Sequence, residues 1–381
     1  MLNILNIFNV IIKMSSKPTA ISLFSGMGGD SLGIQEAGFD IIAFNEFDKA
    51  AVNSHLENFP DSILIQDPTQ KKHKDKINIQ VIPDEIFSEY KDKIDVIFAG
   101  HPCQGFSNGG KKLPDDPRNT LFREFARVCR LVKPKYIIGE NVDGLLSRKT
   151  ATGENYIDVI VKEFDDIGYN VTYQVCHTVK YGVPQLRKRL VYVGIRKDLN
   201  QTYTFPEPLN NGKTNLPNLQ NIIQFDMKGA IKIEPDDFDM TTIPDECILK
   251  NLNNSDNEVP QDIHPYLRLK AKTRNQEYDD KVHPNMLSFS KRDSPIHAEI
   301  IDIRNPSKTI ICSYDHQPRL FVPLQNKNGY YIRCILPDEL KQIQGFPADF
   351  KLYGSTKDKI KQIGNAVPPP LITQIVNKLI N

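Results

Sequence analysis

The amino-acid sequence predicts a doubly wound α/β fold, because segments typical of strands and of helices alternate from residue 19 to residue 196. The alternation begins with an apolar run at 20–24, a glycine-containing turn, and a helix predicted at 30–37 that Gly38 ends. A second observation is the continuous apolar run at 94–99, which is typical of a parallel strand buried on both faces.

The other predicted elements extend the same pattern. Helical periodicity stops before Pro134 in one segment and at Gly168 in another, as expected for residues that end helices. Strands are predicted at 40–45, 136–139 and 190–195, and helices at 49–58, 120–131, 156–167 and 369–380.

A change of composition after residue 196 divides the chain. Residues 201–293 are rich in Asn, Asp and Pro and show weak periodicity, whereas the helical pattern returns at the C-terminus. Met14 begins a normal soluble start, so we interpret the residues before it as a dispensable extension. We predict four parts: an extension at 1–18, a main domain at 19–196, a smaller domain at 197–358, and a segment at 359–381 whose helix returns to the main domain.

The composition is that of an ordinary globular protein. Of the 381 residues, 39% are hydrophobic and 25% are charged, and the formal net charge is only +1. A protein that coats nucleic acid is usually strongly basic, so this charge argues against that class and leaves open an enzyme with a locally basic cleft. No apolar run is long enough to span a bilayer.

Six cysteines are spread along the chain, and none of them forms a C-x-x-C pair. This spacing argues against a zinc site and against the disulfide framework of a small secreted protein, so we predict no metal. Free thiols in a reducing compartment are the simple interpretation.

The turn at 24–29 has the composition of a nucleotide-binding loop. Gly26 and Gly28 lie between a predicted strand and a predicted helix, where glycines let a ligand approach the backbone. Glu46 ends the next strand, the position from which a carboxylate binds ribose hydroxyls in such sheets. Ser31 replaces the third glycine of G-x-G-x-x-G, which weakens an NAD-dependent dehydrogenase as the alternative. A turn that binds no ligand also stays open at this point.

Cys103 follows the apolar run at 94–99 within the sequence AGHPCQG. Ligands bind at the carboxyl ends of the strands in open α/β sheets, so this cysteine is well placed to attack a substrate. The alternative is a buried, unreactive thiol, which is the usual state of a free cysteine. The neighbouring Pro102, Gln104 and Gly105 favour the reactive interpretation.

Eight short motifs occur in a fixed order along the chain. They are FSGMGG at 24–29, NEFD at 45–48, PCQ at 102–104, GENV at 139–142, QLRKR at 185–189, the segment 304–310, QGFP at 344–347 and GNAVPP at 364–369. In composition and order they resemble the motifs of the cytosine-C5 DNA methyltransferases of restriction–modification systems. The resemblance runs from Ala20 to the C-terminus and omits only about 196–295, where that family keeps its variable target-recognition domain.

The resemblance implies a Rossmann-like S-adenosylmethionine methyltransferase domain with a smaller target-recognition domain. It also implies that the Cys103 thiolate attacks C6 of cytosine and that Glu140 acts as a general acid toward N3. Arg187 and Arg189 would pair with Glu140 or hold the base carbonyl and phosphate. The residues expected to line the S-adenosyl-L-methionine site are Phe24, Gly26, Gly28, Glu46, Phe47, Asp67, Pro102, Leu121, Asn365 and Val367.

Two positions depart from the family pattern. Phe47 stands where the family often has a tryptophan that stacks on adenine, and His101 stands where the family usually has another residue. We assign His101 no role. The target base must leave the duplex, and we expect the glycine-rich loop at 104–118 to close behind it.

The expected partner is double-stranded DNA, with a cognate restriction endonuclease that acts on the same site as a second partner. We expect a monomer without membrane association, cytoplasmic in a bacterium or intracellular if the enzyme is viral. One alternative is a tRNA cytosine-C5 methyltransferase of the same family, whose C-F-T signature is absent from this sequence. Another is a catalytically silent DNA-binding relative, which would need to lack Cys103 or Glu140.

Overall fold

The structure is a computed structural model that describes residues 17–102, 121–235, 239–252, 299–315 and 318–380. Residues 1–16 of the predicted extension, the candidate nucleophile Cys103 and the loop at 104–118 lie outside these residues. The strands up to residue 196 are β1 (Thr19–Leu23), β2 (Asp40–Asn45), β3 (Ile63–Leu64), β4 (Val96–Ala99), β5 (Tyr136–Asn141), β6 (Tyr169–His177), β7 (Gln185–Leu186) and β8 (Lys188–Arg196).

Seven of these strands form one mixed sheet in the order β3-β2-β1-β4-β5-β8-β6. The first five run parallel, and β8 is antiparallel to both of its neighbours, β5 and β6. Because β2 and β3 lie on one side of β1 while β4 and β5 lie on the other, the winding direction reverses between β1 and β4. The predicted doubly wound α/β fold is confirmed.

The edge strand β6 has no counterpart in the sequence prediction. Within it Tyr169 and Cys176 are buried, whereas Asn170, Thr172 and Gln174 are exposed. An edge strand faces solvent along one side and carries polar residues there, so it lacks the continuous apolar run of a buried parallel strand.

Helices cover both faces of this sheet. The α-helices of the described residues are α1 (Gly29–Glu36), α2 (Lys49–Asn58), α3 (His73–Ile77), α4 (Asp84–Ser88), α5 (Phe122–Val132), α6 (Tyr156–Asp166), α7 (Pro337–Ile343), α8 (Thr356–Asn365) and α9 (Pro369–Ile380). The bounds predicted for α2 and α9 agree with the structure. The helix α2 begins at its N-cap Asp48, whose carboxylate accepts the N–H groups of Ala50 and Ala51 at 3.0 and 3.3 Å.

The strand β4 shows how the sheet divides the hydrophobic core in two. Val96 and Phe98 face a core that includes residues of α1 and α9, whereas Ile97 and Ala99 face a core formed with α5 and α6. All four side chains are almost fully buried, and each large one contributes about 1.5–3 kcal/mol through burial. Burial on both faces explains the unbroken apolar run that predicted this strand.

A second sheet lies beyond residue 196. Its strands are β9 (Ile231–Ile233), β10 (Leu249–Asn251), β11 (Glu299–Ile300), β13 (Leu320–Asn326) and β14 (Gly329–Cys334), while β12 (Ser307–Lys308) pairs with β7. Its centre is the antiparallel hairpin of β13 and β14, whose turn places Gly329 at a φ of +127°, a region that favours glycine. These strands have no counterpart in the sequence prediction, because Asn, Asp and Pro interrupt the apolar periodicity around them.

The C-terminal helices pack against the first part of the chain. A Cβ atom on Gly33 of α1 would lie 2.7 Å from Cβ of Ile372 in α9, so the glycine lets the two helices touch. The backbone N–H of Lys351 donates to the side-chain oxygen of Asn58 at 2.9 Å. The chain therefore contacts α2 before residue 359 is reached.

Five cysteines, Cys129, Cys176, Cys247, Cys312 and Cys334, are free thiols in the described residues. The same part of the chain contains no group of three or more His, Cys, Asp or Glu side chains placed to bind a metal. None of the helices given above is both long enough and apolar enough to cross a membrane.

Candidate active site

Strand register places four residues at the carboxyl ends of neighbouring strands in one row. Leu23 pairs with Asn45 on one side and with Ala99 on the other, and Ala99 pairs with Gly139. The residues that follow these positions therefore lie side by side at the carboxyl edge of the sheet, next to the point where the winding reverses. They are Phe24, Glu46, Gly100 and Glu140.

The loop after β1 adopts the backbone conformation that its glycines allow. Phe24 and Gly26 both have a φ of +55°, and Gly28 has a φ of +96°. A Cβ atom on Gly28 would lie 2.6 Å from the ring of Phe59, so the backbone packs directly on that ring. No atom of the described residues lies within 4 Å of a Cβ placed on Gly26, which leaves this side of the loop open to a ligand.

Glu46 joins the loops that follow β1 and β2. Its Oε2 accepts the N–H of Gly26 at 2.8 Å, and its Oε1 accepts the N–H groups of Phe47 and Asp48 at 2.7 and 2.6 Å. Burial raises the pKa of this carboxyl above its usual value, and the three N–H groups act against that rise. The ring of Phe47 beside it is 51% exposed.

Asp67 lies in the loop after β3, and the described hydrogen bonds of its carboxylate stay within that loop. The carboxylate accepts the hydroxyl of Thr69 at 2.7 Å, the N–H of Thr69 at 2.9 Å, and the side-chain amide of Gln70 at 3.0 Å. These donors hold the pKa of Asp67 below its usual range. The structure therefore shows a turn-forming role for this predicted cofactor residue.

Glu140 and Arg189 form an ion pair at the carboxyl edge of the sheet. The Nε of Arg189 lies 2.6 Å from Oε1 of Glu140, and Glu140 is 8% exposed. Burial raises the pKa of Glu140, and the positive charges of Arg189 and Arg187 act against the rise. Its Oε2 lies 3.8 Å from the position of a Cβ on Gly100, where the chain leaves β4 toward Cys103.

Arg187 makes a different set of contacts from Arg189. Its guanidinium is buried and donates to the carbonyl oxygens of Ile310 at 3.1 Å, Gly364 at 3.0 Å and Ala366 at 3.2 Å. Three segments distant in sequence are thereby held together. Of the two predicted arginines, the structure pairs Arg189 with Glu140 and places Arg187 on backbone carbonyls.

Two glutamines of separate motifs are joined beside Arg187. The side-chain amide of Gln185 donates to the side-chain oxygen of Gln344 at 2.5 Å, and its own oxygen accepts the N–H of Ile310 at 3.0 Å. The residues are 159 positions apart and both are fully buried. The sequence could not predict this hydrogen bond, because glutamine side chains bond to many kinds of partner.

His101 is buried at the end of β4, although the sequence alone indicated no role for it. Its Nε2 lies 3.1 Å from the hydroxyl of Tyr192, and its Nδ1 lies 3.1 Å from the side-chain nitrogen of Asn141. Burial lowers the pKa of the imidazole to about 4. Neither partner could be identified from the sequence, since Tyr192 is 91 positions away.

The remaining predicted cofactor residues lie around the same edge. Val367 is buried, and a Cβ on Gly29 would overlap its carbonyl oxygen, so α1 begins directly against the C-terminal motif. Asn365 is exposed at the end of α8, while Pro102 and Leu121 are half-buried at the two ends of the segment around Cys103.

The loop and its surroundings fit an adenosine group with a charged tail. The open backbone at Gly26 admits a ligand, and Glu46 offers a carboxylate to ribose hydroxyls. The exposed ring of Phe47 offers a stacking surface to a purine. On the other side of the winding reversal lies the buried ion pair of Glu140 and Arg189, a carboxyl that can take up a proton beside a fixed positive charge.

Comparison with known proteins agrees with this geometry. The family model of C-5 cytosine-specific DNA methylases matches residues 19–381. The chain is 33% identical over 366 residues to Type II methyltransferase M.FnuDI of Fusobacterium nucleatum, which covers 94% of this chain and 93% of that protein. It is 30% identical over 357 residues to Type II methyltransferase M.NgoPII of Neisseria gonorrhoeae, which covers 93% of each.

A solved structure shares the fold. It is a mutant of DNMT2 from Spodoptera frugiperda, with a TM-score of 0.62 and 17% identity, and the match covers 96% of this chain and 100% of that chain. The family match, together with the names of the curated relatives, places the chain with the methyltransferases of restriction–modification systems. The chain therefore belongs to the C-5 cytosine-specific DNA methylase family and is an S-adenosylmethionine-dependent DNA (cytosine-5-)-methyltransferase.

Proposed function

We propose that this methyltransferase modifies cytosine within one short DNA sequence through a covalent adduct between Cys103 and the flipped base. The main support for the proposal is the ion pair of Glu140 and Arg189, because Glu140 lies beside Gly100, where the chain leaves β4 toward Cys103. Cytosine C5 is too weak a nucleophile to accept a methyl group unaided, and addition of a thiolate at C6 turns it into an enamine carbon.

Glu140 is the proposed general acid toward N3 of the base. A proton on N3 draws electrons from the ring, so the thiolate of Cys103 adds to C6 more readily. Burial raises the pKa of Glu140, which favours a protonated carboxyl, and the Arg189 guanidinium holds Oε1 so that Oε2 stays turned toward Gly100. After a base takes the C5 proton, the electrons of the C5–H bond re-form the C5–C6 double bond and expel the Cys103 sulfur as a thiolate, and N3 returns its proton to Glu140.

The cofactor site is proposed to use the open loop. S-adenosyl-L-methionine, when bound, supplies the electrophilic methyl group on its sulfonium. Glu46 would accept the ribose hydroxyls, and the exposed Phe47 ring would stack on adenine. The hydrogen bond from Gly26 to Glu46 couples the shape of the loop to the carboxylate that binds the sugar. The other proposed lining residues are Phe24, Gly28, Asp67, Pro102, Leu121, Asn365 and Val367.

The proposed role of Arg187 is to brace the site. It holds the carbonyls of Gly364 and Ala366, which flank the proposed cofactor residue Asn365, and the carbonyl of Ile310 in a motif that borders the second sheet. This differs from a contact with the base, because its described bonds go to the protein backbone.

We propose that the chain returns from the target-recognition domain to the catalytic domain before residue 359, the boundary predicted from the sequence. Tyr353 supports this boundary, because its N–H donates to the hydroxyl of Ser54 in α2 at 2.8 Å. The preceding segment agrees, since the rings of Phe350 and Phe59 lie 6.3 Å apart. We propose that the target-recognition domain begins after residue 196 and ends before α7.

The proposed setting is a restriction–modification system. The curated relatives are named Type II methyltransferases, which supports a cognate endonuclease that cuts the same unmodified sequence. These names favour duplex DNA over tRNA as the substrate. We propose a monomer, because one active site suffices for one strand at a time, and a location inside the cell with the DNA, which agrees with the free thiols.

Labelled methyl transfer tests the adduct. The protein is incubated with labelled S-adenosylmethionine and unmethylated genomic DNA, and methylated positions are mapped by bisulfite sequencing. We expect label in cytosine at one recurrent motif. Cys103→Ser should abolish it, because a serine hydroxyl forms too little anion to add to C6. Cys312→Ser changes an exposed thiol outside the proposed chemistry and should leave labelling intact.

The outcomes separate the substrate from the mechanism. Label in tRNA but not in DNA would reject the proposed recognition of a DNA sequence. Equal labelling by wild type and Cys103→Ser would reject the covalent mechanism. A complex with 5-fluorocytosine DNA that survives denaturation adds direct support, because a C5–F bond does not release fluorine as a cation in the way that a C5–H bond releases a proton, so elimination stops and the adduct persists.

A further inference from the structure

His101 connects the chain that leads to Cys103 with the two strands that carry the other proposed reactive groups. It follows Gly100 at the end of β4 and is 3% exposed. Its two ring nitrogens contact Asn141 and Tyr192. Asn141 is the residue after Glu140 on β5, and Tyr192 lies three residues after Arg189 on β8.

The hydrogen-bond network determines where the imidazole carries its proton. The backbone N–H of Val142 donates to the side-chain oxygen of Asn141 at 2.9 Å, which identifies the other terminal atom of Asn141 as nitrogen. That nitrogen donates to Nδ1 of His101, so Nδ1 is unprotonated and Nε2 carries the hydrogen. Nε2 therefore donates to the hydroxyl of Tyr192.

The same network keeps the imidazole neutral. Burial lowers the pKa of His101 to about 4, so the ring is uncharged near neutral pH. A second proton would occupy Nδ1 and oppose the amide N–H of Asn141. The neutral ring can thus hold one donor and one acceptor contact at once, which phenylalanine at this position could not do.

Tyr192 is a fixed end point for this network. A Cβ at Gly139 would overlap the Tyr192 ring, so only glycine at that position admits the ring between the strands. The ring also packs beside Phe164 and Phe125, with centroid distances of 5.9 and 6.4 Å. A ring enclosed in this way holds its hydroxyl in one place, and His101 is held with it.

We infer that His101 is a positioning residue for methyl transfer, acting through Asn141 and Tyr192 to fix the start of the Cys103 loop against β5 and β8. The inference rests on the proposed roles of Cys103 and Glu140. Thiolate addition requires the sulfur, C6 and the acid to be aligned together, and a displacement of about 1 Å in such a site can slow reaction about a hundredfold. Among the described residues, the His101 ring bonds to Asn141 and Tyr192 and to neither Glu140 nor Arg189.

Single-turnover methyl transfer at saturating DNA and S-adenosylmethionine tests this inference. Tyr192→Phe removes one hydroxyl, and we expect a rate about tenfold lower; His101→Phe removes both side-chain bonds, and we expect a loss of about a hundredfold. The dissociation constant for S-adenosylmethionine should not change, because in the described part of the chain neither side chain hydrogen-bonds to the loop after β1. Tyr169→Phe is the matched control, since it removes another buried tyrosine hydroxyl in the same sheet, one bonded to the Pro134 carbonyl at 2.7 Å.

Two further variants show whether the residues act as one unit. The double variant His101→Phe/Tyr192→Phe should be no slower than His101→Phe alone, because the hydroxyl matters only through the imidazole. His101→Gln keeps an acceptor and a donor, and it should recover part of the lost rate. A purely structural role would instead lower thermal stability and cofactor affinity together with the rate.

The results distinguish this inference from the proposed mechanism. Wild-type rates for both Tyr192→Phe and His101→Phe, with Cys103→Ser inactive, would overturn the positioning role alone. Activity in Cys103→Ser would overturn the covalent mechanism on which it rests. The positioning role would also be overturned if activity fell only in proportion to the thermal midpoint, while the rate per folded molecule stayed unchanged.

Discussion

Two buried glutamate–arginine pairs lie in different regions of the molecule and differ in how completely the protein surrounds them. Glu140 and Arg189 meet at the carboxyl edge of the seven-stranded sheet, 2.6 Å apart. Glu339 and Arg333 meet between β14 of the second sheet and α7, also within hydrogen-bond distance at 2.7 Å. The residue types are the same, so the surroundings must decide what each pair does.

All five N–H groups of Arg333 have acceptors. Nε donates to the carbonyl of Asp226 at 2.9 Å, Nη1 to the carbonyl of Cys334 at 2.9 Å, and Nη2 to the carbonyl of Gln224 at 2.8 Å. The two remaining N–H groups form a bidentate pair with the Glu339 carboxylate. A fully buried guanidinium with every donor satisfied has no capacity left to bind a substrate.

The carboxylate of Glu140 is only partly used by the protein. Arg189 takes Oε1, and among the described residues Oε2 accepts no hydrogen bond. Glu339 differs, because both of its oxygens face Arg333 and one also accepts the N–H of Leu336 at 2.8 Å. An unfilled hydrogen-bonding position, rather than burial or charge, thus distinguishes the pair that we propose to be reactive from the one whose bonds all stay within the protein.

The largest expected effect is on catalysis by Glu140→Gln. This variant removes the acidic proton but keeps the shape, and loss of a general acid slows reaction by roughly 10²- to 10⁴-fold. We expect this loss in the single-turnover rate, with S-adenosylmethionine affinity unchanged, because Glu46 and the loop after β1 are untouched. A rate within a few-fold of wild type would show that Oε2 of Glu140 does not donate a proton.

The second-largest expected effect is a loss of stability in Glu339→Gln. The variant leaves the buried Arg333 charge without a counter-charge, which costs on the order of 3–5 kcal/mol in the free energy of unfolding. We expect a lower midpoint of urea denaturation and an unchanged rate per folded molecule.

Glu140→Gln is the matched comparison for this variant, since it removes the same charge from the other pair. If Glu339→Gln retained full stability but lost turnover, the division into a reactive pair and a structural pair would be wrong. Replacing Arg333 and Glu339 together by apolar residues should not restore stability, because three backbone carbonyls would lose their donor.

The region of the reactive pair was the more predictable of the two. Buried parallel strands appear as apolar runs, and ligands lie at their carboxyl ends, so the predicted elements led to Cys103 and Glu46, while the family resemblance added Glu140. The roles assigned to these residues stay predictions. The Arg333–Glu339 pair could not be found in this way, because it joins a hairpin strand to a helix and neither element was predicted from the sequence.

Arg187 shows why motif reasoning has a limit even in the predictable region. Arg187 and Arg189 are two positions apart, which in one continuous strand would point both side chains to the same face. The strand is interrupted at Arg187, however, since β7 pairs with β12 and β8 pairs with β5 and β6. The two guanidinium groups therefore reach different partners. The sequence predicted no role for His101 for a related reason, because its hydrogen-bond partners lie on strands that are distant in sequence.

A third buried carboxyl, Asp30, sharpens the comparison because its described partners include no arginine. It accepts the hydroxyl of Ser22, and backbone N–H groups at the start of α1 also face it. Burial raises its pKa to about 7 from 3.8. The folded protein therefore binds this proton more tightly than the unfolded chain, so its contribution to stability is complete below 3.8 and is lost as pH rises through 7.

Asp30→Asn removes this dependence and should show the smallest of the three effects. We expect the variant to be more stable than wild type at pH 8, where the wild-type carboxyl is ionised. From pH 5, where that carboxyl is protonated, to pH 8, the free energy of unfolding of the variant relative to wild type should rise by on the order of 2–4 kcal/mol. Buried His55 and His101, with pKa values lowered to about 3 and 4, weaken both proteins alike as pH falls below 6.5. Urea denaturation gives the free energy of unfolding of both proteins across this pH range, and the difference between them reports on Asp30 alone. If that difference did not change with pH, burial would not raise the pKa of Asp30.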